Sequence, residues 1–127
     1  MRLTHLLMTT ALSLGLLAGC ATAGGYGGAP VKATGGILTN PAGMTLYTFD
    51  KDPEGKSVCN GDCAVRWPPL MAGPGDKASG DYSIVTRDDG SRQWAYKGKP
   101  LYLWVKDQKP GDTTGDGVNN VWRVAKP

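Results

Sequence analysis

Gly43-Met44-Thr45-Leu46-Tyr47-Thr48-Phe49 aligns with Gly98-Lys99-Pro100-Leu101-Tyr102-Leu103-Trp104 at an offset of 55 residues, and the same offset brings Lys51 onto Lys106, Asp52 onto Asp107 and Trp67 onto Trp122. So many matches at one offset, aromatic residues among them, mark an internal repeat spanning about 36–70 and 91–125. A repeat of this length is one supersecondary unit that cannot bury its apolar face alone, so two copies packed together are expected to form the core.

Each copy opens with a hairpin signature. The β-prone runs 37–39 and 44–49 flank Asn40-Pro41-Ala42-Gly43, and the runs 93–96 and 101–105 flank Lys97-Gly98-Lys99-Pro100, so a glycine falls in the connecting turn both times. Residues 82–86 are expected to pair with 92–96 across Arg87-Asp88-Asp89-Gly90-Ser91, and 121–124 makes a closing strand. Alternation sets Leu46, Thr48 and Asp50 on one face and Tyr47 and Phe49 on the other, matched by Tyr102 and Trp104 in the second copy. The two aromatic faces are expected to meet. One helical candidate stands out at 62–67, with Asp62 placed to cap it and Pro68-Pro69 to stop it. The loops 50–60 and 107–120, rich in Gly, Asp, Lys and Pro, are expected at the surface. The fold class is therefore all-β: a small antiparallel domain of two repeats with one short helical turn near a cysteine pair.

Outward from the repeats, Leu17-Ala18-Gly19-Cys20 has the form of a lipoprotein cleavage site. Arg2 precedes an uncharged, mainly apolar run over 6–17, shorter than the roughly 20 residues a membrane-spanning helix needs and closed by small residues. Residues 1–19 read as a signal peptide, Cys20 as the acylated residue, 20–35 as a flexible Gly/Ala tether and 36–127 as the domain. Ala21 in place of Asp after the cysteine favours the outer membrane, facing the periplasm, and two or three acyl chains make a stable anchor. About 92 residues beyond the tether suffice for one core and not for two.

Processing removes Arg2 and leaves 13 Lys and Arg against 11 Asp and Glu, a net charge of +2 scattered along the chain, which argues against nucleic acid and for solvated surface charges. His5, the only histidine, leaves with the signal, so no Ser-His or Cys-His pair and no His-ligated zinc, copper or haem can be assembled. With Cys20 acylated, Cys59 and Cys63 remain, and an exported compartment makes a structural disulfide the default. On a helix their α-carbons would stand about 6 Å apart, a span a disulfide bridges. The rival is a redox-active or Cu(I)-binding pair, although the spacing is not Cys-x-x-Cys and two thiolates make an incomplete metal site.

The residues Tyr47-Thr48-Phe49-Asp50-Lys51-Asp52 and Tyr102-Leu103-Trp104-Val105-Lys106-Asp107, with the segment from Cys59 through Cys63 to Trp67-Pro68-Pro69-Leu70, resemble a bacterial family of predicted lipoproteins with a Tyr-x-aromatic-x-x-Asp motif, a secreted repeat of unknown function. The resemblance covers about 36–127. It implies family membership and no particular activity.

Three constellations carry candidate chemistry. Tyr47, Phe49, Trp67, Tyr102, Trp104 and Trp122 suit either a core or a ligand surface for sugar, peptidoglycan or quinone, with Trp67 and Trp122 the chief candidates for ligand contact. Core is favoured, since so small a domain needs its large apolar side chains. Asp52 and Asp107, which close the repeated motif, are expected to accept backbone amides as the chain leaves each strand. Asp50-Lys51-Asp52-Pro53-Glu54-Gly55 and Asp112-Thr113-Thr114-Gly115-Asp116-Gly117 share features with calcium loops, yet neither completes the pattern, so no metal or cofactor is assigned. The reading is a lipid-anchored envelope protein, not an enzyme, acting as a binding or interaction module. Its expected partners are the membrane through Cys20 and an envelope protein or glycan. The alternative is a redox or electron-transfer accessory protein working through Cys59 and Cys63 by thiol exchange or copper capture.

Overall fold

The computed structural model describes residues 28–127; the segment 1–19 expected to be a signal peptide and Cys20 lie outside them. The strands are β1 (Lys32–Thr34), β2 (Ile37–Thr39), β3 (Tyr47–Phe49), β4 (Tyr82–Thr86), β5 (Arg92–Tyr96), β6 (Lys99–Pro100) and β7 (Trp122–Val124), with a helix α1 (Asp62–Arg66) and a 3-10 turn (Val118–Asn120). All sheets are antiparallel: β1-β2, β3-β7 and β4-β5-β6. The all-β expectation and the helical turn beside the cysteines hold.

The two repeats are intertwined, because each donates its final segment to the other. In one half Leu38 N donates to Ala125 O (2.9 Å), Leu46 N to Leu38 O (2.9 Å) and Ala125 N to Leu46 O (2.8 Å). In the other half Trp94 N donates to Leu70 O (2.8 Å), Leu101 N to Trp94 O (3.0 Å) and Leu70 N to Leu101 O (2.9 Å), the same ring of bonds with the repeats exchanged. A local two-fold passes between Tyr47 and Tyr102, whose backbones pair reciprocally at 2.8 and 2.9 Å. Neither repeat can therefore complete its own backbone pairing. The core follows the same symmetry: Leu38, Leu46, Leu70, Trp94, Leu101 and Ala125 make one cluster, and Tyr47, Cys59, Trp67, Tyr102, Trp104 and Trp122 the other. Alternation along extended chain explains the division, since Leu46 and Tyr47, at the entry to β3, fall on opposite sides, as do Leu101 and Tyr102 just after β6.

Several expectations need correction. Run 101–105 forms no strand, only two isolated bridges at Tyr102, to Tyr47 and to Pro69. Its neighbour is the segment around Pro68-Pro69, which accepts from Leu103 N (2.7 Å, to Pro68 O) but has no proline N–H to return. The equivalent neighbour in the first half, Trp122–Val124, keeps every donor, and there the ladder forms with Tyr47↔Val124 and Phe49↔Trp122 in register. Strand 44–49 shortens to Tyr47–Phe49 with a bridge at Thr45. β1 lies inside the stretch 20–35 that composition assigns to a tether: Gly35 and Gly36, with φ of 59° and 85°, are its hairpin turn to β2. Asp62 does not cap α1; Gly61, at φ 58°, takes the N-cap position without a side-chain bond, and Asp62 is the first helical residue. Loop 50–60 is not wholly superficial, for Ser57 and Cys59 within it are fully buried.

Candidate functional site

The repeated motif builds a reciprocal lock. Tyr47 OH donates to Asp107 Oδ2 (2.6 Å), and Tyr102 OH donates to Asp52 Oδ2 (2.6 Å), so each motif tyrosine bonds the motif aspartate of the opposite repeat. Each aspartate uses its other oxygen as expected, on a backbone amide after the strand: Val58 N to Asp52 Oδ1 (2.8 Å) and Thr114 N to Asp107 Oδ1 (2.9 Å). The amide part of the reading holds, and the cross-repeat phenol was missed. Nothing in a linear motif says that its first and last residues serve different partners.

Both phenols sit above a line of donors. Gly115 N donates to Tyr47 OH (3.1 Å). On the other side Arg87 Nη1 donates to Ser57 Oγ (2.9 Å), and Ser57 Oγ lies 2.6 Å from Tyr102 OH, whose proton is directed to Asp52. Arg87 is buried, contrary to the solvated surface expected of arginines here, and also bonds Gln93 Oε1 (2.7 Å) and Cys59 O (2.6 Å). Among the described residues no carboxylate lies within ion-pair distance of it. A signal for its burial was present: continuing the β4 alternation past Thr86 puts Arg87 on the face of buried Val85.

Burial, with the facing carboxylate second, holds Tyr47 and Tyr102 well above the usual tyrosine range. Burial likewise raises Asp52, against the opposing pull of the Tyr102 and Val58 bonds and the Arg87 charge. A raised phenol pKa means the folded chain keeps protons that the unfolded chain gives up above pH about 10, so this stability is intact below that pH and is lost as pH rises beyond it. The two tyrosines make unfolding easier by about 2.7 kcal/mol per pH unit above pH 10, at about 1.4 each. Urea midpoints measured from pH 9 to 11 check this, and the Tyr47→Phe variant should show about half the slope.

Around the lock runs a column of rings. Trp104 stacks on Trp67 (centroids 3.8 Å), Trp67 on Trp122 (3.7 Å, interplanar 4°) and Trp122 on Phe49 (4.3 Å), while Tyr47 meets Trp67 edge-on at 5.4 Å and Tyr102 meets Trp122 at 5.1 Å. Tyr47, Tyr102, Trp67, Trp104 and Trp122 are all buried, which fits the core reading, and Phe49 is half-buried. Gly115 closes against this column so tightly that a Cβ there would come within 2.8 Å of Trp67 and 2.9 Å of Tyr47. Gly115→Ala is therefore expected to cost about 1–3 kcal/mol by overpacking, read from the shift of its denaturation midpoint at unchanged slope.

Although the rings are buried, the side of the column opens on a groove of about 580 Å³ lined by Phe49, Trp67, Trp104 and Trp122 with Val118, Asn119 and Val121. Lys51 and Arg66 are its only charged walls, and Cys63 is part of its rim. Cys63 is disulfide-bonded to fully buried Cys59, with α-carbons 5.2 Å apart, which ties α1 to the loop that carries Ser57. Four carboxylates of the two calcium-like segments are engaged elsewhere: Asp50 with Arg123 (2.9 Å), Asp52 with the Tyr102 phenol (2.6 Å), Asp112 with the Gln108 amide (2.8 Å) and Asp116 with the Val124 amide (3.1 Å).

Comparison with known proteins adds one identification. No curated protein and no solved structure matches the chain. A family model does match, over residues 29–71 and again over 83–126, segments that nearly superpose at the offset of 55. These two matches cover most of the chain and both halves of the intertwined core, and the chain accordingly belongs to the family described as a secreted repeat of unknown function.

Proposed function

We propose that the chain is a cell-envelope lipoprotein, anchored through acylated Cys20 at the outer membrane, and that it works without catalysis as a binding module for an envelope glycan. The groove beside the tryptophan column carries this reading. It combines the edges of four aromatic rings, Phe49 the most exposed of them, with two cations, Lys51 and Arg66, and no carboxylate among its lining residues. Aromatic walls suit the apolar faces of sugars, and the cations suit the carboxylates of acidic glycans such as peptidoglycan fragments. The motif aspartates and tyrosines are engaged in holding the repeats together.

Tryptophan emission in a titration with soluble peptidoglycan fragments tests the binding role. The expected result is a saturable change, weakened at least about tenfold when Lys51 and Arg66 are both replaced by Ala. No response to acidic or neutral fragments would overturn it. Mass spectrometry of the membrane-extracted protein tests the anchor: a diacylglyceryl Cys20 at a new N-terminus is expected, and an unmodified Cys20 would contradict it.

One observation favours the redox reading as a second possibility: Cys63 reaches the groove, where a partner thiolate could attack it. Thiol trapping over a glutathione series separates the two readings. A reduction potential below about −300 mV assigns the disulfide a structural role, and one near −120 to −200 mV makes it exchangeable.

A further inference from the structure

Four of the positive charges that are scattered along the sequence come together in the fold. Pairing of β3 with β7, and the two-residue turn at Lys97-Gly98 between β5 and β6, bring Lys97, Lys99, Arg123 and Lys126 around a second groove of about 300 Å³. Its walls are otherwise Thr48, Tyr96, Val124 and Ala125, and its one acid is Asp50. That acid is already held by Arg123, through Nε at 3.0 Å and Nη2 at 2.9 Å. Among the described residues no carboxylate lies within ion-pair distance of Lys97, Lys99 or Lys126; the Glu54 side chain packs against Gly98 outside the groove. Three exposed ammonium groups thus surround a partly apolar floor.

The chain enters the domain close to this groove. Ala125, one of its walls, accepts from Leu38 of β2, and Leu38 is paired with Ala33 of β1. Ala29 and Val31 pack against the core cluster that contains Ala125. Gly28 stands eight residues after Cys20, a reach of at most about 28 Å. An acyl chain on Cys20 therefore leaves the groove within reach of the bilayer surface.

We propose that this groove docks the domain on the phosphate headgroups of anionic phospholipid in the membrane that carries the anchor, a second attachment that rests on the lipid-anchor reading. The lysines supply the charge, each worth roughly fivefold in affinity near an anionic surface, and Tyr96 offers an amphipathic ring at headgroup level. The domain then lies against the bilayer.

Amine-reactive footprinting of the full protein extracted from the membranes of its producing cells and added to vesicles tests this, with neutral phosphatidylcholine compared with the same lipid containing about 30 % phosphatidylglycerol. Lys97, Lys99 and Lys126 are expected to react at least about fivefold more slowly on the anionic vesicles, with protection lost in about 0.5 M NaCl. Lys51, on the other groove, should be unchanged. In the Lys99→Glu, Lys126→Glu double variant, protection of Lys97 should disappear. Flotation with both vesicle types but equal lysine reactivity would overturn the docking. So would equal protection by about 10 mM inorganic phosphate on neutral vesicles, which would make the ligand free phosphate. Flotation with anionic vesicles alone, with the lysines protected, would refute the lipid anchor and support the docking.

Discussion

Trp122→Ala lowers the free energy of unfolding by about 3–5 kcal/mol, and Trp67→Ala does the same within that range. Trp122 is 2 % exposed and lies between Trp67 and Phe49, with Tyr102 against its edge, so removing the indole opens a cavity and breaks three ring contacts together. It is also the first residue of the strand that the second repeat donates to the first. A domain of this size has about 5–15 kcal/mol in total, so either variant should be only marginally folded at 37 °C. The comparison is Val65→Ala on the exposed side of α1, where the residue is 71 % accessible and the change should stay within about 0.5 kcal/mol. Urea unfolding followed by circular dichroism gives both values. A loss below about 1 kcal/mol at Trp122 would mean that the column is not a stabilising core.

The second large effect is expected at the lock. Phenylalanine at Tyr47 leaves Asp107 Oδ2 without its phenol donor, and phenylalanine at Tyr102 leaves both Asp52 Oδ2 and Ser57 Oγ short of a partner. A hydrogen bond to a buried carboxylate is worth about 1.5–3 kcal/mol, so each single variant should lose about that much and the double variant about 3–6 if the losses add. Folded Tyr102→Phe protein should also loosen the loop around Ser57, seen as faster hydrogen exchange at the Val58 and Cys59 amides. Unchanged stability in the double variant would remove the lock from the account.

Much of this architecture was legible in the residues. The offset of 55 identified the repeat, and alternation within Leu46-Tyr47 and Leu101-Tyr102 sorted the side chains that later formed two separate clusters. What stayed hidden was which partner each segment takes. Leu70 and Ala125 occupy equivalent repeat positions, yet a pattern of apolar residues reads the same whether a strand returns to its own repeat or crosses to the other. The prolines at 68 and 69 likewise mark a break in the chain without revealing that the break falls opposite Tyr102. Composition misled at the end of the stretch 20–35, where Lys32–Thr34 form β1 and Gly35 supplies a positive φ to the hairpin turn. Charge misled at Arg87, because its burial depends on acceptors from Ser57, Cys59 and Gln93, residues that only the fold brings together.

Intertwining of the two repeats is tested most directly by double-mutant cycles that compare partners across and within repeats. The cycle of Tyr47→Phe with Asp107→Asn should give a coupling above about 1 kcal/mol, as should Tyr102→Phe with Asp52→Asn, while Tyr47→Phe with Asp52→Asn should be additive within about 0.5 kcal/mol. Coupling within the repeat and additivity across it would contradict the exchanged arrangement.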